Sequence, residues 1–228
     1  MDGTDMGATS ERLGYAALKD KHRTLRAGFP QDLTLRVHRA LIWLGRAERE
    51  TGDDDVRFIL IWIAFNAAYA GEISAEASSE RDAFKTYFSS LVELDVERRI
   101  DRLVWARFSQ EIRLLLMNRH VFAPFWAHQA GVPGNDDWEE RLSAGIRKIS
   151  AAMARRETAT VLSVLFDRLY VLRNQLVHGA ATWNGGVNRD QVRVGAAILS
   201  SLVPIFIDLM MDDPTRDWGA PFYPVTEG

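Results

Sequence analysis

The stretch from Phe58 to Ala70, FILIWIAFNAAYA, carries no charged side chain, and Asn66 is its one amide. A helix of this composition is apolar nearly all round. At thirteen residues it is also too short to cross a bilayer, which needs about 20 apolar residues. It must therefore be covered on every side by other protein. That requirement points to an all-α helical bundle with this segment at its centre.

The rest of the chain supplies the cover. After Asp32, residues Leu33, Val37, Leu41 and Leu44 recur at helical spacing with arginines between them. The GDDD run from Gly52 to Asp55 puts carboxylates at the start of the central helix, where they complement its dipole. Ser79 and Asp82 have the spacing of a capping box opening Glu80 to Leu94. Asp95 is placed to cap one long amphipathic helix through Met117, with Ile100, Leu103, Val104, Phe108, Ile112 and Leu115 on a single stripe. From His120 to Asn135, two prolines and two glycines mark the main loop. Asn135 is then placed to cap a helix running to Glu157, and the next one, from Thr158 to His178, ends at Gly179. Asn188 with Gln191 resembles a cap for a last helix, kinked near Pro204. The run from Val194 to Met211 is long, but its two serines, proline and Asp208 mark a buried helix, so no membrane span is expected. No internal repeat or low-complexity linker is visible. The expected organisation is one all-α domain over residues 32–228, preceded by an N-terminal appendage, residues 1–31, of uncertain order.

Composition removes several kinds of chemistry. Without cysteine there is no disulfide framework, no thiolate zinc site and no cysteine nucleophile. A formal net charge of −3 argues against a generally basic nucleic-acid binder but leaves room for a local basic face. The acidic, polar start MDGTDMGATSERLG does not read as a secretory signal, and the expected location is cytoplasmic. There is no Walker lysine loop, glycine-rich dinucleotide turn, His-Glu-x-x-His or Gly-x-Ser-x-Gly sequence. His22, His38, His120 and His128 are scattered without ligand spacing, so neither metal nor cofactor is expected. His38 reads as a packing residue beside an apolar stripe, and His120 and His128 as exposed loop residues. The acidic clusters Asp53–Asp55 and Asp136–Asp137 are explained by helix N-termini.

One stretch stands apart: LRNQLVHG, Leu172 to Gly179, closes an apolar helix with Arg173, Asn174 and His178. Asn174 and His178 are four apart and share a helix face. Arg173 and His178 are five apart, about 7.5 Å along the axis and roughly 140° around it. A straight helix brings that pair together only through the long arginine stem or by unwinding at Gly179. The same residues also fit a plain helix end, a basic last turn followed by glycine. Asn66 and Tyr69, one turn apart, either bond a neighbouring helix backbone or line a cleft.

YVLRNQLVHG, Tyr170 to Gly179, resembles the signature of the HEPN superfamily: an arginine, commonly followed by a polar residue, then a histidine four to six positions after the arginine. FILIWIAFNAAYAG is similar to the matching early helix of large bacterial HEPN proteins, including those near the Apea-like group. ATWNGGVNRDQVR, the last helix and WGAPFYPVTEG also resemble bacterial HEPN-containing proteins. The resemblance implies a HEPN-like helical bundle with additional helices that forms a homodimer and, in active members, cuts RNA without metal. Arg173, Asn174 and His178 are then the catalytic set. Arg113, Arg119, Arg189 and Arg193 are candidates for a local basic face toward RNA, beside Asn66 and Tyr69. The resemblance further implies bacterial defence or toxin–antitoxin biology, with a cognate antitoxin protein as partner. The alternative it carries is a non-catalytic HEPN module that binds nucleotide, RNA or a protein partner.

Overall fold

The computed structural model describes residues 13–69, 80–186, 188–221 and 223. Ten α-helices run through them: α1 (Tyr15–Leu25), α2 (Gln31–Glu48), α3 (Asp54–Tyr69), α4 (Glu80–Leu94), α5 (Arg99–Arg102), α6 (Ser109–Met117), α7 (Ala123–Gln129), α8 (Trp138–Ala154), α9 (Thr158–Val177) and α10 (Arg189–Asp212). Among the described residues no strand occurs beyond a single bridge residue, Pro221. The protein is all-α.

The uncharged run does lie at the centre. Phe58, Ile61, Trp62, Ala64, Phe65 and Ala68 of α3 are buried, with α2 and α10 packed along the helix. Phe65 gathers the aromatic core, its ring 4.5 Å from Phe166 on α9 and 6.3 Å from Phe88 on α4. The α3–α10 approach is close because Gly195 has no side chain; a Cβ there would sit 2.8 Å from the Phe58 ring. α10 is long and apolar enough to cross a membrane, yet 78% of its apolar window is buried inside the protein. It runs unbroken through Pro204.

Two buried charges tie the helices together. Asp208 on α10 accepts from Lys21 of α1 at 2.6 Å and from Arg99 of α5 at 2.6 Å. Removing either cation would leave a poorly solvated carboxylate, so the pair fixes both short helices against α10. Arg36 of α2 is fully buried and donates to the carbonyls of Ala68, Gly219 and Ala220 at 3.1, 2.9 and 2.7 Å. Burial pushes its pKa down, and the nearby Tyr87, Asp32 and Asp217 oppose that. Of the residues read as an N-terminal appendage, 15–25 form α1, whose Leu18 is fully buried in the main core.

Several local expectations change. Asp95 does cap, accepting from the Arg99 and Ile100 amides at 2.9 and 2.6 Å, but the helix behind it is not continuous to Met117. A π-helical turn, Leu103–Arg107, and a bend at Phe108 separate α5 from α6. The cause lies in the spacing. Ile100, Val104, Phe108 and Ile112, all buried, recur at strict intervals of four. On an ideal α-helix that row drifts by roughly 120° over three steps, and one wider turn removes the drift. The expected loop from His120 is half helical, with a 3-10 turn at Arg119–Val121 followed by α7. Pro124 sits in the first turn of α7, where its missing N–H costs nothing. Phe122, Phe125 and Trp138 form a second, small core there.

Asn135 turns its amide to the carbonyls of Val132 and Pro133, and α8 starts at Trp138 without a side-chain cap. Asn188 does not cap α10 either: its φ is +59° and its amide reaches α9. Ser79 lies outside the described residues. Among the histidines, His38 is exposed and His120 and His128 are half-buried. His22, one turn from Leu18 on the inner face of α1, is the buried one, and burial holds its pKa below the ordinary value.

Candidate functional site

The α9 helix closes itself. Ala180 N–H donates to the Gln175 carbonyl at 2.8 Å and Gly179 N–H to the Leu176 carbonyl at 3.3 Å, the paired bonds of a Schellman motif. That motif needs a left-handed residue after the cap, and Gly179 supplies it at φ +70°. His178 is the cap, with its amide on the Asn174 carbonyl at 3.0 Å. Its ring is exposed and has no hydrogen-bond partner among the described residues.

Arg173 and Asn174 are half-buried and bonded to each other, Arg173 Nη1 donating to Asn174 Oδ1 at 2.9 Å. Asn174 therefore orients the guanidinium, and its link to His178 is through the backbone alone. No hydrogen bond joins Arg173 to His178 among the described residues, as the helical phase predicts.

What holds this helix end in place was only partly visible in the sequence. Gln175 is buried and satisfied at both ends of its amide: Nε2 donates to the His120 carbonyl at 2.7 Å, and Oε1 accepts from Asn188 at 2.7 Å. The signal for it was helical phase, since Gln175 falls on the same inward face as Leu165, Leu169 and Leu172. The turn after the motif is fastened from the other side by the GDDD carboxylates. Asp53 Oδ1 caps α3 through the Asp55 and Val56 amides at 2.9 and 3.0 Å, while its Oδ2 accepts the Trp183 indole N–H at 2.6 Å. The Val56 amide above all holds the Asp53 carboxyl below its usual range against the penalty of burial, with Trp183, Asp55 and Arg189 adding to the lowering. Asp55 accepts the Asn184 amide at 2.8 Å and the Arg189 guanidinium at 2.6 Å. Read from sequence as dipole partners alone, these two carboxylates also fix the loop that follows His178.

The expected RNA-facing arginines differ in state. Arg189 is ion-paired to Asp55 and Arg193 to Asp190, the latter at 2.7 Å. Arg113 is exposed on α6, with no ion pair among the described residues. Arg119 is exposed and lies over the Phe125 ring at 5.6 Å. Asn66 and Tyr69 are not brought to the motif. They sit at the far end of α3, about 20 Å along the axis from Asp55. Tyr69 packs on Phe65 and Phe84 at 5.2 and 4.7 Å, inside the aromatic core, and Asn66 is half-buried.

Among the described residues no group of three or more histidine or acidic side chains converges as a metal site. Two cavities of about 350 Å³ each lie elsewhere, one between the start of α2 and residues 214–220, the other between α1 and α2. The helix end thus offers an exposed imidazole and an oriented guanidinium at the surface of the chain. No family model matches the chain, and no curated protein or solved structure matches it.

Proposed function

We propose that this chain is a metal-independent endoribonuclease of HEPN type that works as a homodimer, with Arg173, Asn174 and His178 of two copies facing one cleft. The observation that carries the reading is an exposed imidazole with no hydrogen-bond partner among the described residues, held at a helix end beside a bonded Arg–Asn pair. RNA supplies its own nucleophile. The 2′-oxygen attacks the adjacent phosphorus, the bond from phosphorus to the 5′-oxygen breaks, and a 2′,3′-cyclic phosphate and a 5′-hydroxyl result. One His178 takes the 2′-hydroxyl proton and the other gives a proton to the departing 5′-oxygen, the general-base and general-acid roles that an imidazole can fill. Arg173 presents a planar fork to the non-bridging oxygens. One protomer holds a single copy of each group, and a two-fold axis supplies the second. A role in bacterial defence or a toxin–antitoxin pair, in the cytoplasm and with a cognate antitoxin, rests on the resemblance of LRNQLVHG to the HEPN signature.

The test is incubation of the purified protein with total RNA in EDTA, wild type beside His178→Ala, with fragment ends mapped. Cleavage that leaves cyclic phosphates, spares 2′-deoxy substrates and is lost in His178→Ala supports the reading. Intact RNA with and without divalent metal defeats it.

A second reading, a non-catalytic HEPN-like module that binds nucleotide, RNA or a protein partner, is favoured by one observation. Arg189 and Arg193 are engaged by carboxylates of the same chain, which removes two cations from the expected RNA-facing set. Binding without turnover marks that reading.

A further inference from the structure

α2 turns an unusual face outward. Arg39, Ile42, Trp43, Arg46 and Arg49 follow one another at helical spacing on the side opposite the buried Val37, Leu41 and Leu44. Trp43 is 39% and Ile42 49% exposed, although the inner face of the same helix is fully packed. Arg39, half-buried, and Arg49, exposed, have neither an ion pair nor a hydrogen-bonded side-chain partner among the described residues, as is also true of Arg26, Arg107, Arg113 and Arg147. Arg46 pairs with Glu50 at 3.0 Å. Beside this face, Tyr15 of α1 lies against Gly45, where a Cβ would meet its ring at 2.8 Å. Tyr15, Ile42, Gly45, Glu48 and Arg49 line an open cavity of about 350 Å³. The Lys19 ammonium stands 5.2 Å from the Tyr15 ring centroid.

We propose that the outward face of α2, with the Tyr15–Ile42–Arg49 cavity beside it, is a binding track for single-stranded RNA. The proposal deepens the ribonuclease reading and rests on it for the identity of the polyanion. Guanidiniums without a carboxylate complement phosphates, and aromatic side chains between them give the bases a stacking surface that tolerates any sequence. A lipid surface fits less well, because an interfacial helix needs a continuous apolar face flanked by cations, whereas here the arginines interrupt the apolar positions. The track also leads toward the motif. Arg49 is four residues from Asp53, a span of at most about 14 Å of chain, and Asp53 holds the exposed Trp183 five residues beyond His178.

The experiment is fluorescence anisotropy of a labelled oligouridylate, with full-length protein in the His178→Ala background so that nothing is cut. The paired charge reversals Arg39→Glu and Arg49→Glu should weaken binding by about ten-fold or more and flatten its salt dependence. Trp43→Ala should weaken it by about five-fold. Arg147→Glu, an exposed cation on α8, should leave it within about two-fold. Circular dichroism melting of each variant should match the parent. Oligouridylate that binds equally well to the α2 variants, or not at all to the parent, overturns the track. So does loss of binding to phosphatidylserine vesicles in those variants while RNA binding stays intact. RNA held through α2 but never cut by the unmutated protein leaves the track standing and removes the nuclease. Cleavage at full rate by the Arg39→Glu, Arg49→Glu variant does the reverse.

Discussion

The two ends of α9, about 30 Å apart, solve opposite electrostatic problems. Arginines crowd its N-terminal end, where the helix dipole repels them. Each is matched by a carboxylate: Arg155 bonds Glu157 at 2.6 Å, while Arg156 and Arg98 both reach Asp101 Oδ2 at 3.1 Å. Thr158 and Trp105 complete that cluster through a bond of 2.9 Å. At the C-terminal end the dipole favours cations, and the backbone closes on itself through Gly179 and Ala180. Here Arg173 leans on a neutral amide, and His178 has no partner among the described residues. Cations at the unfavourable end are occupied in holding the structure together. Those at the favourable end, Arg173 and His178, have no carboxylate partner among the described residues.

The sharpest way to break this contrast is to remove one side chain from each end. With RNA as substrate, His178→Ala should lower turnover by about 100-fold or more, the range of a positioned acid or base, with melting unchanged. Arg156→Ala should leave turnover intact. Equal losses in both variants would erase the distinction between the ends. Next in size is Asp55→Ala, which strands Arg189 and the Asn184 amide. It should cost about 2–3 kcal/mol in denaturant unfolding. Asp101→Ala, whose arginine partners are largely solvated, should cost about 1 kcal/mol or less. Gly179→Ala forces a side chain into a left-handed turn and should cost about 1 kcal/mol, read from the same unfolding curves. The smallest effect concerns acid. The folded-state pKa of Asp53 is depressed, so the stability it lends is complete above the ordinary aspartate value and is lost as pH falls through the lowered one. Amide exchange in residues 182–185 should therefore quicken only in strong acid, and Asp53→Asn should abolish that dependence.

Much of the fold was legible because α3 admits one solution. An uncharged helix needs cover, and the carboxylates before it announce its start. The break between α5 and α6 was harder to see, since the apolar stripe continues through it, and only the repeated interval of four betrays the wider turn. Asn135 and Asn188 misled for a shared reason: an asparagine before a helix satisfies a cap by composition, while its side chain bonds elsewhere. At the candidate site, the divergence of Arg173 and His178 around the helix could be read from spacing, whereas Arg173, Asn174 and His178 stood out as a set only through the resemblance of LRNQLVHG to the HEPN signature. The roles of Gln175, Asp53 and Asp55 could not be read, because each depends on contacts with residues distant in the chain.

The buried guanidinium of Arg36 has a consequence for synthesis. Two of its three carbonyl partners, Gly219 and Ala220, lie 183 and 184 positions downstream. A ribosome makes α2 long before it makes them, so a nascent chain can collapse around α3 but must leave this cation wet or poorly satisfied until Gly219 and Ala220 emerge. Chains that stop short of Gly219 carry that defect permanently.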